Sequence, residues 1–228
     1  MTSSNEIFVL HEGYSEMKTT DENTLPVMKA NCTCTLIKNN SHNIIVDTMT
    51  AWDAQKILNA LREHSVESDH IDYVISTHGH ADHVGNNNLF LNATHIVGFS
   101  ISKHDEFYLH PFDKGVSYFI EGKYKNDQIE IIPTPGHTLD SISVLMKTKN
   151  NETVAITGDL FEKKEDLLDP NIWLDAGSEN SKEQNIQRLK ILGVADLIVP
   201  GHGPMFQVLD QTRMQYKDIS CTTPETSA

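Results

Sequence analysis

Cysteine is nearly missing from this 228-residue chain, with only Cys32, Cys34 and Cys221. An odd number, with the first two placed i, i+2 on one predicted strand, excludes a disulfide framework. Long apolar runs are missing as well. The first, Ile7 to Leu10, follows a start without basic residues and is too short for a signal segment or a membrane span. The reading is a soluble, intracellular, reduced protein. Positive charge is scarce: 18 Lys and Arg stand against 32 Asp and Glu, a net charge of −14 spread along the chain. That balance disfavours a general binder of nucleic acid or anionic membrane. No Pro-, Gly- or Ser-rich linker and no internal repeat divides the chain, so residues 1–228 read as one domain with a short tail from about 210. A core of this length can bury about 70% of the unfolded surface.

What is present is a series of short β-prone runs: Ile7 to Leu10, Val27 to Ile37, Asn43 to Val46, Asp72 to Ser76, His95 to Val97, Ile129 to Ile132, Ile142 to Met146, Val154 to Thr157 and Leu197 to Val199. Helical spacing occurs twice. Thr50 and Asp53 form a capping-box start, and Ala54, Ile57, Leu58 and Leu61 make residues 51–64 an amphipathic helix. Ser181 with Gln184 opens the second, whose apolar face is Ile186, Leu189 and Leu192 and whose C-terminal cap is Gly193. Strands interrupted by few helices predict a layered α/β (α+β) domain with helices outside packed sheets. Tyr14 to Asn23, Lys103 to Asn126, Glu162 to Glu179 and the tail after Val208 are expected to be irregular.

Twelve histidines exceed what a core needs, and their placement is uneven. His78, His80, Asp82 and His83 fall in T-H-G-H-A-D-H-V-G directly after the run Asp72 to Ser76, so they leave a strand end where backbone can loop around an ion. Imidazoles and a carboxylate are donors that zinc favours, and iron or manganese accept the same set. Three later runs end in small-residue turns that carry one donor each: His137 in T-P-G-H-T, Asp159 in T-G-D and His202 in V-P-G-H-G. Proline and glycine permit sharp turns and close backbone approach, which would let these side chains point to a common place.

In this order, H-x-H-x-D-H, P-G-H-T, T-G-D and P-G-H-G resemble the metallo-β-lactamase fold superfamily over essentially the whole chain. The resemblance implies an αββα sandwich with a two-metal site at its edge. By it, His78, His80 and His137 hold one zinc, Asp82, His83 and His202 hold the other, and Asp159 bridges them. A cysteine ligand of many true β-lactamases is replaced by Asp159, and the helical C-terminal domain of glyoxalase II, the β-CASP insertion and the exosite arm of transfer-RNA processing enzymes are not evident. The wording T-H-G-H-A-D-H-V-G-N-N-N-L-F with G-D-L-F-E and V-P-G-H-G-P-M-F resembles a branch of small cytosolic and nuclear hydrolases. That resemblance implies an endoribonuclease acting on histone pre-messenger RNA 3′ ends, and a homodimer.

Two zinc ions sharing a water would supply hydroxide at neutral pH, with Asp82 or a bound water protonating the leaving group. Asp47 is a candidate to orient a ligand histidine, or is simply a turn residue. Cys32 and Cys34 read as buried small hydrophobes, and His104 and His110 as surface residues that could also approach substrate. Three alternatives remain open. One is a mono-iron, persulfide-dioxygenase-like oxidoreductase using His78, His137 and Asp159, another a (thio)ester hydrolase of a small metabolite. The third is a binding protein with purely structural metals. If RNA is the substrate, weak intrinsic affinity is expected, because so few basic residues are available.

Overall fold

The computed structural model describes residues 3–18, 25, 27–112, 115–123 and 125–214. In chain order it forms β1 (Glu6–His11), β2 (Tyr14–Lys18), β3 (Val27–Asn31), β4 (Cys34–Lys38), β5 (Asn43–Val46), α1 (Ala54–Glu63), β6 (Tyr73–Ser76), α2 (Ala81–Val84), β7 (Thr94–Val97), β8 (Ser100–Lys103), β9 (Glu106–Tyr108), β10 (Tyr118–Ile120), β11 (Ile129–Pro133), β12 (Ile142–Lys147), β13 (Thr153–Gly158), α3 (Asn171–Asp175), α4 (Ser181–Val194), β14 (Leu197–Pro200) and β15 (Phe206–Gln207). A seven-stranded sheet runs β1-β4-β5-β6-β7-β8-β9, a six-stranded sheet runs β10 to β15 in order, and β2 and β3 form a separate hairpin.

Continuous β-branched and aliphatic runs are what a strand buried on both faces requires. Ile37, Ile44, Val46, Ile75 and Ile96 of the first sheet meet Ile129, Ile131, Val144, Ile156 and Val199 of the second in one core. Their chain neighbours Leu36, Ile45 and Val74 point the other way and pack against Ile57 and Leu61 of α1. Ala155 and Ile198 likewise face Ile191 and Leu192 of α4. These three apolar layers make an αββα sandwich, as expected. β5, β6 and β7 are parallel to one another, as are β13 and β14, so chain segments leave β6, β13 and β14 at strand C-terminal ends.

Several local expectations are corrected. The run Val27 to Ile37 is two strands, because the chain turns at Cys32 and Thr33, where the Thr33 N–H donates to the Gly201 carbonyl at 2.7 Å. β3 therefore pairs with β2, whereas β4 joins the main sheet, and Cys32 lies between strands. Of Tyr14 to Asn23, residues 14–18 are β2 and 19–23 lie outside the described residues. Lys103 to Asn126 contains β9 and β10, short edge strands whose pairing supplies order that their own pattern does not signal. Glu162 to Glu179 contains a 3-10 turn at Lys164–Leu167 and α3.

The first residue of α1 is Ala54, and Thr50 does not cap it: its hydroxyl is taken by the Asp53 carboxylate. The true cap of α4 is Asn180, whose side chain accepts from the Glu183 N–H at 3.1 Å, and Gly193 stays inside the helix. Ile186 and Leu189 of α4 are outward and exposed, whereas Gln184, Gln187 and Arg188 are buried with Ile191 and Leu192. Arg188 explains this rotation, since it meets Asp166 bidentately at 2.6 and 3.1 Å and lies over the Phe161 ring. Among the described residues no helix is long and apolar enough to cross a membrane. Cys221 and residues 215–228 of the expected tail lie outside the described residues.

Candidate metal centre

The donor-bearing segments all end at one edge of the sandwich. His78 and His80 follow β6, Asp82 and His83 sit on α2, His137 follows β11, Asp159 directly follows β13 and His202 follows β14. Close approach of backbone makes this convergence feasible. Gly158 adopts φ +49°, and a Cβ there would strike the Thr77 hydroxyl; a Cβ on Gly201 would strike the Asp159 carboxylate.

Two adjoining donor sets result. His78, His80, His137 and Asp159 offer atoms all within 4.8 Å of one another, and so do Asp82, His83 and His202. Asp159 touches both sets: Oδ2 lies 3.6 Å from His78 Nε2, 3.4 Å from His137 Nε2 and 3.2 Å from His202 Nε2, and Oδ1 lies 3.2 Å from His83 Nε2. Every residue singled out as a donor thus comes to the cluster, while His104 and His110 are exposed at positive-φ turns.

The rings are aimed by partners behind them. His137 Nδ1 donates to the Gly177 carbonyl at 2.7 Å, His202 Nδ1 to the Asn31 carbonyl at 3.0 Å, and His83 Nδ1 to Asp47 Oδ2 at 3.0 Å. Because these partners only accept, Nδ1 carries the proton and the Nε2 lone pairs face inward. Asp47, at φ +57°, is itself held by the Thr77 N–H at 2.8 Å.

A cation is the group this interior fits. His80 Nδ1 sits 2.9 Å from His78 Nε2 and 3.1 Å from His137 Nε2, yet one ring nitrogen cannot hydrogen-bond to both as a single-proton donor. His83 Nε2 and Asp159 Oδ1 are buried without a hydrogen-bond partner, despite their proximity. Burial opposes charge on His83 and His202, but Asp159 together with Asp47 at His83 and with Glu162 at His202 outweighs it, pushing His83 well above the ordinary imidazole value and His202 up to about 9. Protons would therefore occupy the place of a metal in its absence. Burial, reinforced by neighbouring rings, pushes His78 and His137 down, which leaves them neutral as ligation requires.

Of the donors, His80, Asp82, His137, Asp159 and His202 line a cavity of about 390 Å3 together with Met28, Ala30, Ala51 and Trp52. Glu162 lines it too, and sequence reasoning assigned it no role; its only signal was its place three residues after Asp159 in G-D-L-F-E. Burial and then Asp159 push its carboxyl well above the ordinary range.

The metallo-β-lactamase superfamily model matches residues 28–202. The chain belongs to this superfamily. It is similar to the frog (Xenopus laevis) protein named metallo-β-lactamase domain-containing protein 1, at 35% identity over 95% of this chain and 87% of that protein. It is also similar to an N-acyl homoserine lactonase from a Bacillus species, at 33% identity over 64% of this chain and 60% of that protein. A solved structure of a putative metallo-β-lactamase from Thermotoga maritima shares the fold with a TM-score of 0.61 and 22% identity, covering 90% of this chain and 99% of that one. Superfamily membership supports a metal-dependent hydrolase, and the matched segment contains every donor of the cluster.

Cys32 and Cys34 are free and buried, and burial pushes both thiols up, so they remain protonated. Cys34 packs under α1, and Cys32 sits behind the donor His83 beside Asp47. Sequence reasoning also missed Asn31 and Gly177, which act here through backbone carbonyls and carry no motif, and Thr77, which opens T-H-G-H-A-D-H-V-G but acts through its backbone N–H and hydroxyl.

Proposed function

We propose that this superfamily member is a two-metal phosphodiesterase of single-stranded RNA, an endoribonuclease of histone pre-messenger RNA 3′ ends, working as a homodimer in the cytosol and nucleus. The observation that carries the two-metal reading is the pair of donor sets joined at Asp159, beneath an open cavity. His78, His80 and His137 would hold one ion and Asp82, His83 and His202 the other, with zinc as the expected metal and iron or manganese as alternatives. Such a pair supplies a water-derived nucleophile at neutral pH and neutralises the attacking and leaving oxygens of an in-line displacement. The narrower RNA assignment rests on the resemblance carried by T-H-G-H-A-D-H-V-G-N-N-N-L-F, G-D-L-F-E and V-P-G-H-G-P-M-F.

The chain's own residues then position the strand. Asp47, Asn31 and Gly177 fix the donor rings, and buried Asp159 keeps its charge because His202, His83 and His78 outweigh its burial. Asp82, with its side chain 21% exposed, is the carboxylate placed to pass a proton to a leaving oxygen. Trp52, 90% exposed on the cavity wall, offers a face for stacking a base. Among the described residues, those lining the cavity include no Lys or Arg, so phosphate contacts would fall to the metals, with sequence choice supplied by a partner.

A second reading, hydrolysis of a small lactone or thioester, is favoured by the same lack of Lys and Arg among the described lining residues and by similarity to the lactonase. The mono-iron alternative uses His78, His137 and Asp159 and gives no account of Asp82, His83 and His202 converging on the same carboxylate. The test is cleavage of single-stranded RNA by metal-loaded protein, with binding by Asp159→Asn measured across a salt series. The expected outcome is cleavage, with a log–log salt slope equivalent to roughly one to three phosphate contacts, and Trp52→Ala weakening binding by about 5- to 100-fold. No RNA cleavage together with turnover of a lactone or thioester would replace this reading by the second.

A further inference from the structure

Glu162 is only 1% exposed, yet neither carboxylate oxygen has a hydrogen-bond partner. Two other buried carboxylates near the site are fully answered: Asp166 by Arg188, and Asp47 by Thr77 and His83. The Glu162 backbone is held on both sides, its N–H donating to Asp166 Oδ2 at 2.7 Å and its carbonyl accepting from the His202 N–H at 2.8 Å. This frame aims the side chain into the cavity, where Glu162, Asp159 and His202 offer donor atoms within 4.8 Å of one another. His202 Nε2 stands 3.9 Å from Oε2, beyond hydrogen-bond reach.

We propose that Glu162 is an additional oxygen donor of the second metal position, making that position selective for an oxygen-preferring divalent cation such as Mn2+. The inference rests on the two-metal reading above. It follows from the contrast between the donor sets. The first offers three imidazoles and one carboxylate, His78, His80, His137 and Asp159, which suits four-coordinate zinc. The second set is Asp82, His83 and His202, and Glu162 stands with Asp159 around the same His202, so an ion held there would meet more carboxylate oxygen, a harder environment. Asp166 and Arg188 then act as positioning residues, because they hold the backbone that aims Glu162.

The test uses the full chain, stripped of metal, given one equivalent of Zn2+ and titrated with MnCl2 while free Mn2+ is followed by electron paramagnetic resonance. Wild type is expected to take up one Mn2+ per chain. Glu162→Gln should weaken that uptake about 10- to 100-fold, with zinc affinity at the first position changed less than about threefold. Metal-free Glu162→Met should melt at or above metal-free wild type, since a group that faces only a cation leaves nothing unpaired when made apolar. Unchanged Mn2+ affinity in Glu162→Gln would overturn the inference, and a low melting point for metal-free Glu162→Met beside that result would assign Glu162 to the fold. Wild type that binds only one ion of any kind would instead overturn the two-metal reading beneath it.

Discussion

A single carboxylate, Asp53, ties Thr50 of the cavity wall to Asn31 and Lys56 beside it. It accepts from Asn31 Nδ2 at 2.8 Å, from the Thr50 hydroxyl and from Lys56 Nζ at 2.7 Å, while the Asn31 carbonyl receives the His202 proton. Burial alone would raise its pKa, but the bonds from Lys56, Thr50 and Asn31 outweigh it and hold Asp53 below the ordinary aspartate value. A depressed folded-state pKa contributes stability that is present above the unfolded value, near 3.9, and is lost as pH falls through the folded value. Asp53→Asn is therefore expected to melt below wild type at pH 7 and to show a shallower fall between about pH 5 and pH 2. Thermal melts followed by circular dichroism at a series of pH values check this; parallel acid limbs would show that Asp53 carries no such linkage.

At the scale of elements, α4 is informative because its buried face is largely polar. Gln184 Nε2 donates to the Asp159 carbonyl at 3.0 Å, and Arg188 donates to the Leu160 carbonyl at 2.7 Å as well as to Asp166. The helix thus braces the segment that carries Asp159 and Glu162, in addition to covering the sheet. Removing one member of a buried ion pair leaves the other uncompensated, at a cost of about 3–5 kcal/mol. Arg188→Ala should lose about that much stability in urea unfolding. A loss under about 1 kcal/mol would mean that Asp166 finds water or another donor and that the helix is held by Ile191 and Leu192 alone.

For the whole molecule, the donor cluster joins the two sheets at one edge, so a bound ion should act as a cross-link between layers. A ligand at about a thousand times its dissociation constant adds about 4 kcal/mol to the folded state. In a domain of this size that corresponds to roughly 8–16 °C in melting temperature. Chelation should lower the melting temperature by such an amount and Zn2+ or Mn2+ should restore it, as differential scanning calorimetry would show. An unchanged melt, with metal loss verified by elemental analysis, would mean that the cluster contributes nothing to holding the layers together.

What the sequence determines by itself is local. His78, His80, Asp82 and His83 lie within a few residues after β6, and covalent spacing brings them near one another whatever the rest does. Strand runs, the α1 stripe and the small-residue turns before His137, Asp159 and His202 are also legible, because side-chain alternation and glycine tolerance are written in the chain. Tertiary structure decided the remainder. Only the docking of the β2–β3 hairpin and of the segment after α3 sets the Asn31 carbonyl against His202 and the Gly177 carbonyl against His137, and a backbone carbonyl is a group that every residue possesses. Only the burial of Arg188 turned α4 away from its apparent Ile186 and Leu189 face, since an ion pair with Asp166 has no periodic signal. Glu162 belongs to the same class: one carboxylate among many in an acidic chain, distinguished only when the fold closes over it and leaves its oxygens facing the donor cluster.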